Sequence, residues 1–545
     1  MFYKNRTNLN LSFIGIILLF LALLVLLLFS QPYLHSYATE TYSDIDRISS
    51  INKSEIPKSN LPYSYNLNWL IQNGKYISSI YKRLGSISFG PSSEYSKVEG
   101  VVCYRGNNYR NSASYGVANI PEKKLEKIWS YNIGHIDSWT GVGWNGQPAI
   151  VKWDKNLKMN MNIFEQSKKK NDLKEVIYGT LDSKVYFLDL ETGKPTRKPI
   201  QTFGPIKGSV SVDPRGVPLL YVGQGIDRIN NKSIPIGYSI YSLLDQKRLF
   251  FINGMDKFAQ RGWGAFDSTS LVDAKTDTLI EAGENGILYT IKLKTIYNPS
   301  KSLLKINPKV TKYRYTSSIS KQKGIENSVA IYKNFAYFAD NDGLLQCIDL
   351  NTLSPIWARN VSDDTDSTIA LEESNNNVSL YTACEVDKQG RSGYSYIRKI
   401  DAKTGKLLWQ RSYKCSLNRT NGGVLGAPVI GKNDIDDLVI YSIARCNGSN
   451  GGKLIAFNKS TGKTVWEIPF NNYSWSSPVD VYTNNGHAYI VFCDSAGNMF
   501  LIDGQKGKIL NKVSLGANVE GSPAVYENMI VVGTRGQKIW GVKIK

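Results

Sequence analysis

Residues 452–466 read GKLIAFNKSTGKTVW and residues 394–409 read YSYIRKIDAKTGKLLW. In each, an alternating apolar run leads to Asn458 or Asp401, then to Thr461-Gly462 or Thr404-Gly405, and then to a second apolar run ending in Trp466 or Trp409. The Asn or Asp side chain accepts from backbone N–H groups a little further on, and the Gly takes the positive-φ position that closes a hairpin. The unit is therefore strand, turn, strand, and its carboxylates are turn residues rather than catalytic ones. A tryptophan that opens an outer strand fills the wedge between neighbouring sheets, as is expected of Trp357, Trp409 and Trp466.

The same unit recurs at 176–194, 335–357 and 488–510. Asp349, Asp401, Asn458 and Asp503 lie 52, 57 and 45 residues apart, and Asp189 precedes Asp349 by 160, about three such intervals. A period near 50 residues, built of short strands, predicts propeller blades and not a sandwich. Each unit opens on small residues, from Gln147-Pro148-Ala149 through Ser209, Ser268, Ser328, Ser367 and Ala427 to Ser477-Pro478 and Ser522-Pro523. That makes eight openings, and small residues belong on innermost strands, where blades converge. The last unit, 517–543, has only three strands, whereas LEKIWSYNIG (125–134) is an unpaired outer strand with its own Trp129. Pairing the two closes the ring and leaves no free sheet edge. The expected fold is all-β: an eight-bladed β-propeller of four-stranded antiparallel blades over 101–545.

Ahead of it, Leu11 to Phe29 is uncharged and long enough to cross a bilayer. Lys4 and Arg6 precede it and no basic residue follows until Arg47, so a cytoplasmic N-terminus (1–10), a single transmembrane helix (11–30) and an extracytoplasmic remainder are expected. Cleavage as a signal peptide near Ala38 is the alternative, which leaves the protein secreted. Residues 31–100 are Ser-, Tyr- and Asn-rich with weak periodicity and read as a linker.

The 545 residues are 42% hydrophobic, enough for a large core, and Lys and Arg exceed Asp and Glu by 66 to 46, which favours anionic surroundings. An exported location disfavours nucleic acid. Three dispersed histidines and six cysteines without a Cys-x-x-Cys pair argue against zinc or thioredoxin-like chemistry. Cys415 and Cys446 are the candidate disulfide, whereas Cys347 and Cys493 sit in apolar strand patterns as buried thiols.

These units resemble the repeats of the pyrroloquinoline-quinone-type (PQQ-like) β-propeller family, with its Ser-Ser-Pro, Asp-Gly-x-Leu-x-x-Leu-Asp, Thr-Gly and Trp pattern. The match is strong at 335–357, 394–409, 452–478 and 488–523 and weak at 204–316. Arg105-Gly106-Asn107 and Arg110 are similar to the lead-in of many non-enzymatic members. The resemblance implies eight four-stranded blades. Its dehydrogenase members imply a quinone, an axial Ca²⁺ and an adjacent Cys-Cys disulfide; no such pair stands here, so their catalytic residues do not carry over.

Residues just before each inner strand surround one mouth of the axial channel: Trp144, Asn145, Lys207, Trp263, Asp267, Glu326, Asp366, Trp475 and Glu520. Such a ring suits a peptide or glycan, a cation, or a water-filled funnel, with Asp267 and Glu326 the foremost cation ligands. No specific set of metal ligands is expected. Glu281 and Glu284, beside Asn285-Gly286, read as a hairpin turn. Lys158, Lys168, Lys169, Lys170 and Lys174 lie in an insertion (152–174) that reads as a solvated loop or a contact for anionic lipid. The expectation is a monomeric, membrane-anchored, non-catalytic scaffold without a cofactor, binding a protein, peptide or anionic envelope polymer. The alternative is a quinoprotein dehydrogenase that binds PQQ and Ca²⁺.

Overall fold

The hairpin units assemble as the repeat predicts. In a computed structural model, which describes residues 66–72, 75–77, 81–144, 146–317, 319–375, 377–417 and 420–545, eight sheets, each built on four antiparallel strands and some carrying one or two more, form an eight-bladed propeller. Their inner strands are Ala149–Lys152, Ser211–Val212, Leu271–Asp273, Ala330–Tyr332, Ala370–Ser374, Val429–Ile430, Val479–Tyr482 and Ala524–Tyr526, numbered here as blades 1 to 8. Burial decays from axis to rim. In blade 7 the strand Ala488–Cys493 is wholly buried, whereas the outer strand Ile509–Ser514 is largely exposed.

The ring closes as expected. Leu125–Asn132 is the outer strand of blade 8, pairing antiparallel with Lys538–Ile544 from Leu125↔Ile544 to Asn132↔Lys538. The tryptophans then lock each blade to the next. Trp357 Nε1 donates to the Ala402 carbonyl at 3.0 Å, Trp409 to Lys459 at 2.8 Å and Trp466 to Gly504 at 3.0 Å, each time reaching the Thr-Gly turn or its equivalent one blade on. Trp129 does the same across the closure, donating to Leu190 of blade 1 at 2.8 Å. The turn is built as its sequence dictates: Asp401 Oδ1 accepts from Thr404 N and Oγ1, and Gly405 has φ +71°. Gly405 is required twice over, since a Cβ there would also come within 2.7 Å of the Trp357 ring.

The stretch 31–100 departs from the linker expected of it. From Asn66 onward its described residues belong to the propeller: Asn66–Gln72 adds a strand to the outer edge of blade 3 at Lys309–Thr316, and Ile87, Phe89 and Val98 are buried. Its periodicity is weak because the segment forms no blade of its own and only adds strands to existing ones. Beyond it, residues 99–115 fill the axis. Glu99–Val101 pairs with the inner strand of blade 1, Val102 O accepts from Val212 N of blade 2, Asn108 O from Ile331 N of blade 4 and Tyr109 O from Leu371 N of blade 5. Ser114–Tyr115 runs parallel to the inner strand of blade 8. The two lead-in arginines, both 0% exposed, reach the remaining blades. Arg105 donates to Pro428 O (2.7 Å) and Pro478 O (2.8 Å), and Arg110 to Thr269 O (2.5 Å) and Val329 O (2.9 Å). One segment thus ties all eight blades and blocks the axis.

The insertion in blade 1 is ordered rather than a free basic loop. It carries two short helices, Lys155–Asn160 capped by Asp154 and Glu165–Lys168. Four of the five lysines are engaged: Lys170 with Asp189 and Glu191, Lys168 with Glu165, Lys174 with Asp172, while Lys158 donates to the Lys170 carbonyl; Lys169 is exposed. The apolar stretch of the expected transmembrane helix and the cleavage position near Ala38 lie outside the described residues. Among the described residues no helix is long and apolar enough to cross a membrane.

Candidate functional site

The mouth opposite the hairpins that follow the inner strands is organised by β-pairing. Extending the register four residues beyond Leu271↔Ile280 sets Asp267 opposite Glu284; the same extension from Ala330↔Tyr337 sets Glu326 opposite Asn341, and from Ala370↔Tyr381 sets Asp366 opposite Glu385. In blade 8 it sets Glu520 opposite Arg535, and these two form an ion pair at 3.4 Å. Each residue before an inner strand therefore meets one that follows the second strand of the same blade.

Two clusters result. In the first, the carboxylate oxygens of Asp267, Glu284 and Glu326 all lie within 4.8 Å of one another. Cations are built in: Lys207 Nζ is 3.3 Å from Asp267 and sits over the Trp263 ring, and Arg261 Nη1 is 3.8 Å from Glu284 and 3.7 Å from Glu326. Burial disfavours the Lys207 ammonium, but Asp267, Glu284 and Glu326 outweigh it and hold its pKa above the usual range. Burial, and then the neighbouring carboxylates, raise Glu284. In the second cluster, Asp364, Asp366 and Glu385 likewise lie within 4.8 Å of one another. Asn341 joins the two, donating to Glu326 Oε1 at 2.6 Å and toward Asp364 Oδ2 at 3.4 Å.

Of the nine residues proposed from sequence, Lys207, Trp263, Asp267 and Glu326 gather in the first cluster and Asp366 in the second. Trp475 stands beside it, its Nε1 donating to Asn421 O at 3.2 Å. Glu520 is engaged by Arg535, Trp144 is half-buried on blade 1, and Asn145 lies outside the described residues. Glu281-to-Gly286 is the hairpin expected, between Thr278–Ala282 and Leu288–Lys292, yet Glu284 also projects its carboxylate into the first cluster. Spacing along the chain does not single out Glu284, Asn341, Asp364 or Glu385; the hairpin register places Glu284, Asn341 and Glu385, and Asp364 lies two residues before Asp366.

All six cysteines are free thiols. Cys415 and Cys446 nonetheless face each other between blades 5 and 6, sharing a hydrogen bond that raises the Cys415 pKa and lowers that of Cys446.

The chemistry of the mouth fits a hard cation better than a quinone. Six clustered carboxylates face three cationic side chains, Lys207, Arg261 and Lys388. PQQ is itself a tricarboxylate and meets like charge there.

Residues 393–485 and 450–545 match the family model described as outer membrane protein assembly factor BamB. A quinoprotein ethanol dehydrogenase of Pseudomonas putida is 27% identical over 158 residues, 28% of this chain and 22% of that protein, so the match spans about a fifth of the relative's length. Among solved structures, a quinohemoprotein alcohol dehydrogenase of Pseudomonas putida superposes with TM-score 0.54 at 12% identity, covering 82% of this chain and 80% of the other, which shows a shared fold. BamB from Moraxella catarrhalis aligns with TM-score 0.49 and 14% identity over 77% of this chain and 99% of its own.

Proposed function

The protein is a PQQ-like β-propeller, and on that premise we propose that it is a non-catalytic scaffold whose mouth face binds a protein or peptide partner carrying basic side chains. The observation that carries this reading is the charge of the mouth. The chain is basic overall, at +20, yet its axial mouth concentrates carboxylates beside the half-buried rings of Trp263 and Trp475. Aromatic faces and carboxylates together accept Lys and Arg side chains by stacking and ion pairing. An anionic polymer would find its attraction on the outer surface instead. In this reading the stretch Leu11–Phe29 anchors the propeller outside the cytoplasm, where the family model's assembly factor gives a precedent for a partner-binding role. The propeller is taken as a monomer, since its ring is complete in one chain.

The test is binding of a Lys/Arg-rich peptide library to the purified protein. Binding that weakens with salt and with Asp267→Asn plus Glu326→Gln supports the reading; equal binding of acidic and basic peptides contradicts it.

The sequence match to a quinoprotein ethanol dehydrogenase favours a second reading, a PQQ- and Ca²⁺-dependent oxidoreductase. Adding PQQ with Ca²⁺ and measuring alcohol-dependent dye reduction decides between them. Turnover establishes the enzyme, and no bound quinone leaves the scaffold.

A further inference from the structure

We propose that the face opposite the mouth carries a second binding site, for an acidic saccharide, in the cavity where blades 1, 2 and 3 depart from the repeat. Three irregular pieces meet there. They are the insertion of blade 1 with its helix Lys155–Asn160, the turn at Arg215-Gly216 after the inner strand of blade 2, and the small hairpin Ile296–Asn298 with Leu303–Lys305 that leaves blade 3 before its outer strand. With residues 97–99, on their way into the axis, they line a cavity of about 730 Å³. That is the size of a small-ligand site.

The walls are fixed to one another. Lys97 N donates to Pro214 O of blade 2 at 2.8 Å, and Asn160 Nδ2 ties the helix to Pro299 O of blade 3 at 3.0 Å. Trp153, buried in the lining, donates through Nε1 to Glu175 Oε2 at 2.7 Å. A buried ion pair, Arg197 with Glu175 at 2.5 Å, holds that acceptor in turn.

The charge of the lining is unbalanced. Lys97, Lys152, Lys155 and Arg215 face two carboxylates, Glu99 and Asp154. Lys152 is met by Glu99 and Asp172, and Arg215 by Asp213 and Asp277. Asp154 accepts from Asn156 N and Leu157 N. Lys97 and Lys155 are exposed, and neither ammonium has an anionic partner among the described residues. Two uncompensated cations on one cavity select an anion.

The rest of the lining selects a sugar as its carrier. Asn156 and Asn171 bring amides that both donate and accept, as hydroxyl groups require. The half-buried Tyr297 ring offers an apolar face for the C–H face of a pyranose. A uronate residue uses the lysines, the amides and the ring together, whereas free phosphate uses the lysines alone. The site does not depend on what the mouth binds.

The experiment is isothermal titration calorimetry of the full-length protein, at low salt and in a detergent without a sugar headgroup, with trigalacturonate, maltotriose and inorganic phosphate as probes. One equivalent of trigalacturonate bound by the wild type, with no binding of maltotriose and far weaker binding of phosphate, is expected. Lys97→Ala and Lys155→Ala should each weaken trigalacturonate binding about 2–5-fold, and together about tenfold. Tyr297→Ala should weaken it about tenfold. Lys169→Ala removes the same charge from an exposed position of the same insertion, outside the cavity lining, and should leave binding unchanged. Both lysines that line the cavity are exposed, so their variants fold even if Tyr297→Ala does not. The proposal is overturned if trigalacturonate does not bind at millimolar concentration, if maltotriose or phosphate binds as tightly, or if Lys169→Ala weakens binding as much as Lys155→Ala does.

Discussion

Trp129 and Gly193 stand 64 positions apart in the sequence, on different blades, yet a Cβ on Gly193 would come within 2.6 Å of the Trp129 ring. The contact sits where the first outer strand, delivered from residues 125–132, meets the Thr-Gly turn of blade 1, so it spans the closure of the ring. The same contact joins Trp357 to Gly405, Trp409 to Gly462 and Trp466 to Gly507. A repeat motif with Thr-Gly in one unit and Trp in the unit before it is thus one physical device divided between two blades.

Trp129→Ala should therefore cost about 3–5 kcal/mol by cavity formation and loss of the indole hydrogen bond. Gly193→Ala should also destabilise, because its φ of +67° and the ring both exclude a side chain. Thermal melting checks both; an unchanged Tm for Trp129→Ala contradicts the closure.

The axial segment makes a separate prediction. Arg110→Ala leaves the carbonyls of Tyr104, Thr269 and Val329 without their donor in a buried site, which should cost about 3 kcal/mol or more. Arg110→Lys should recover little, since an ammonium does not reproduce the guanidinium fork. Urea denaturation reads both.

Glu281, buried beneath the mouth, has its pKa pushed up to about 8 by burial, against an ordinary 4.5. Between those values the folded state keeps a proton that the unfolded chain has released, so this group lowers stability as pH rises. The slope is about 1.4 kcal/mol per pH unit and it levels off above about pH 8. Glu281→Gln should remove that slope. The difference in unfolding free energy between wild type and variant, measured from pH 5 to pH 9, should grow up to about pH 8 in the variant's favour.

Treatment with glutathione disulfide should join Cys415 to Cys446. The two thiols surrender two protons and two electrons to the reagent, which leaves as two glutathione thiols. Cys103, with its pKa pushed up to about 11, and the buried Cys347 and Cys493 should remain reduced. Peptide mapping without reductant checks the pairing.

The sequence made the blades legible because Asp401, Thr404, Gly405 and Trp409 each have a fixed local task that repeats. Residues 66–115 resisted the same reading because they serve each blade once and so have no period: Arg105 and Arg110 stand out only as a lead-in, and their spacing does not show that they donate to carbonyls of blades 3, 4, 6 and 7. The mouth was half legible. Asp267, Glu326 and Asp366 follow from their place before inner strands, whereas Glu284 and Glu385 are brought to them by strand pairing, which spacing along the chain does not display.

The most direct test of the scaffold account is site-specific photocrosslinking in intact cells, with p-benzoylphenylalanine placed either at Trp263 in the mouth or at Asn485, exposed on the opposite face. The account predicts a discrete protein adduct from position 263 that is lost when Asp267→Asn and Glu326→Gln are added, and none from position 485. The same adduct from position 485 with none from 263 would contradict it.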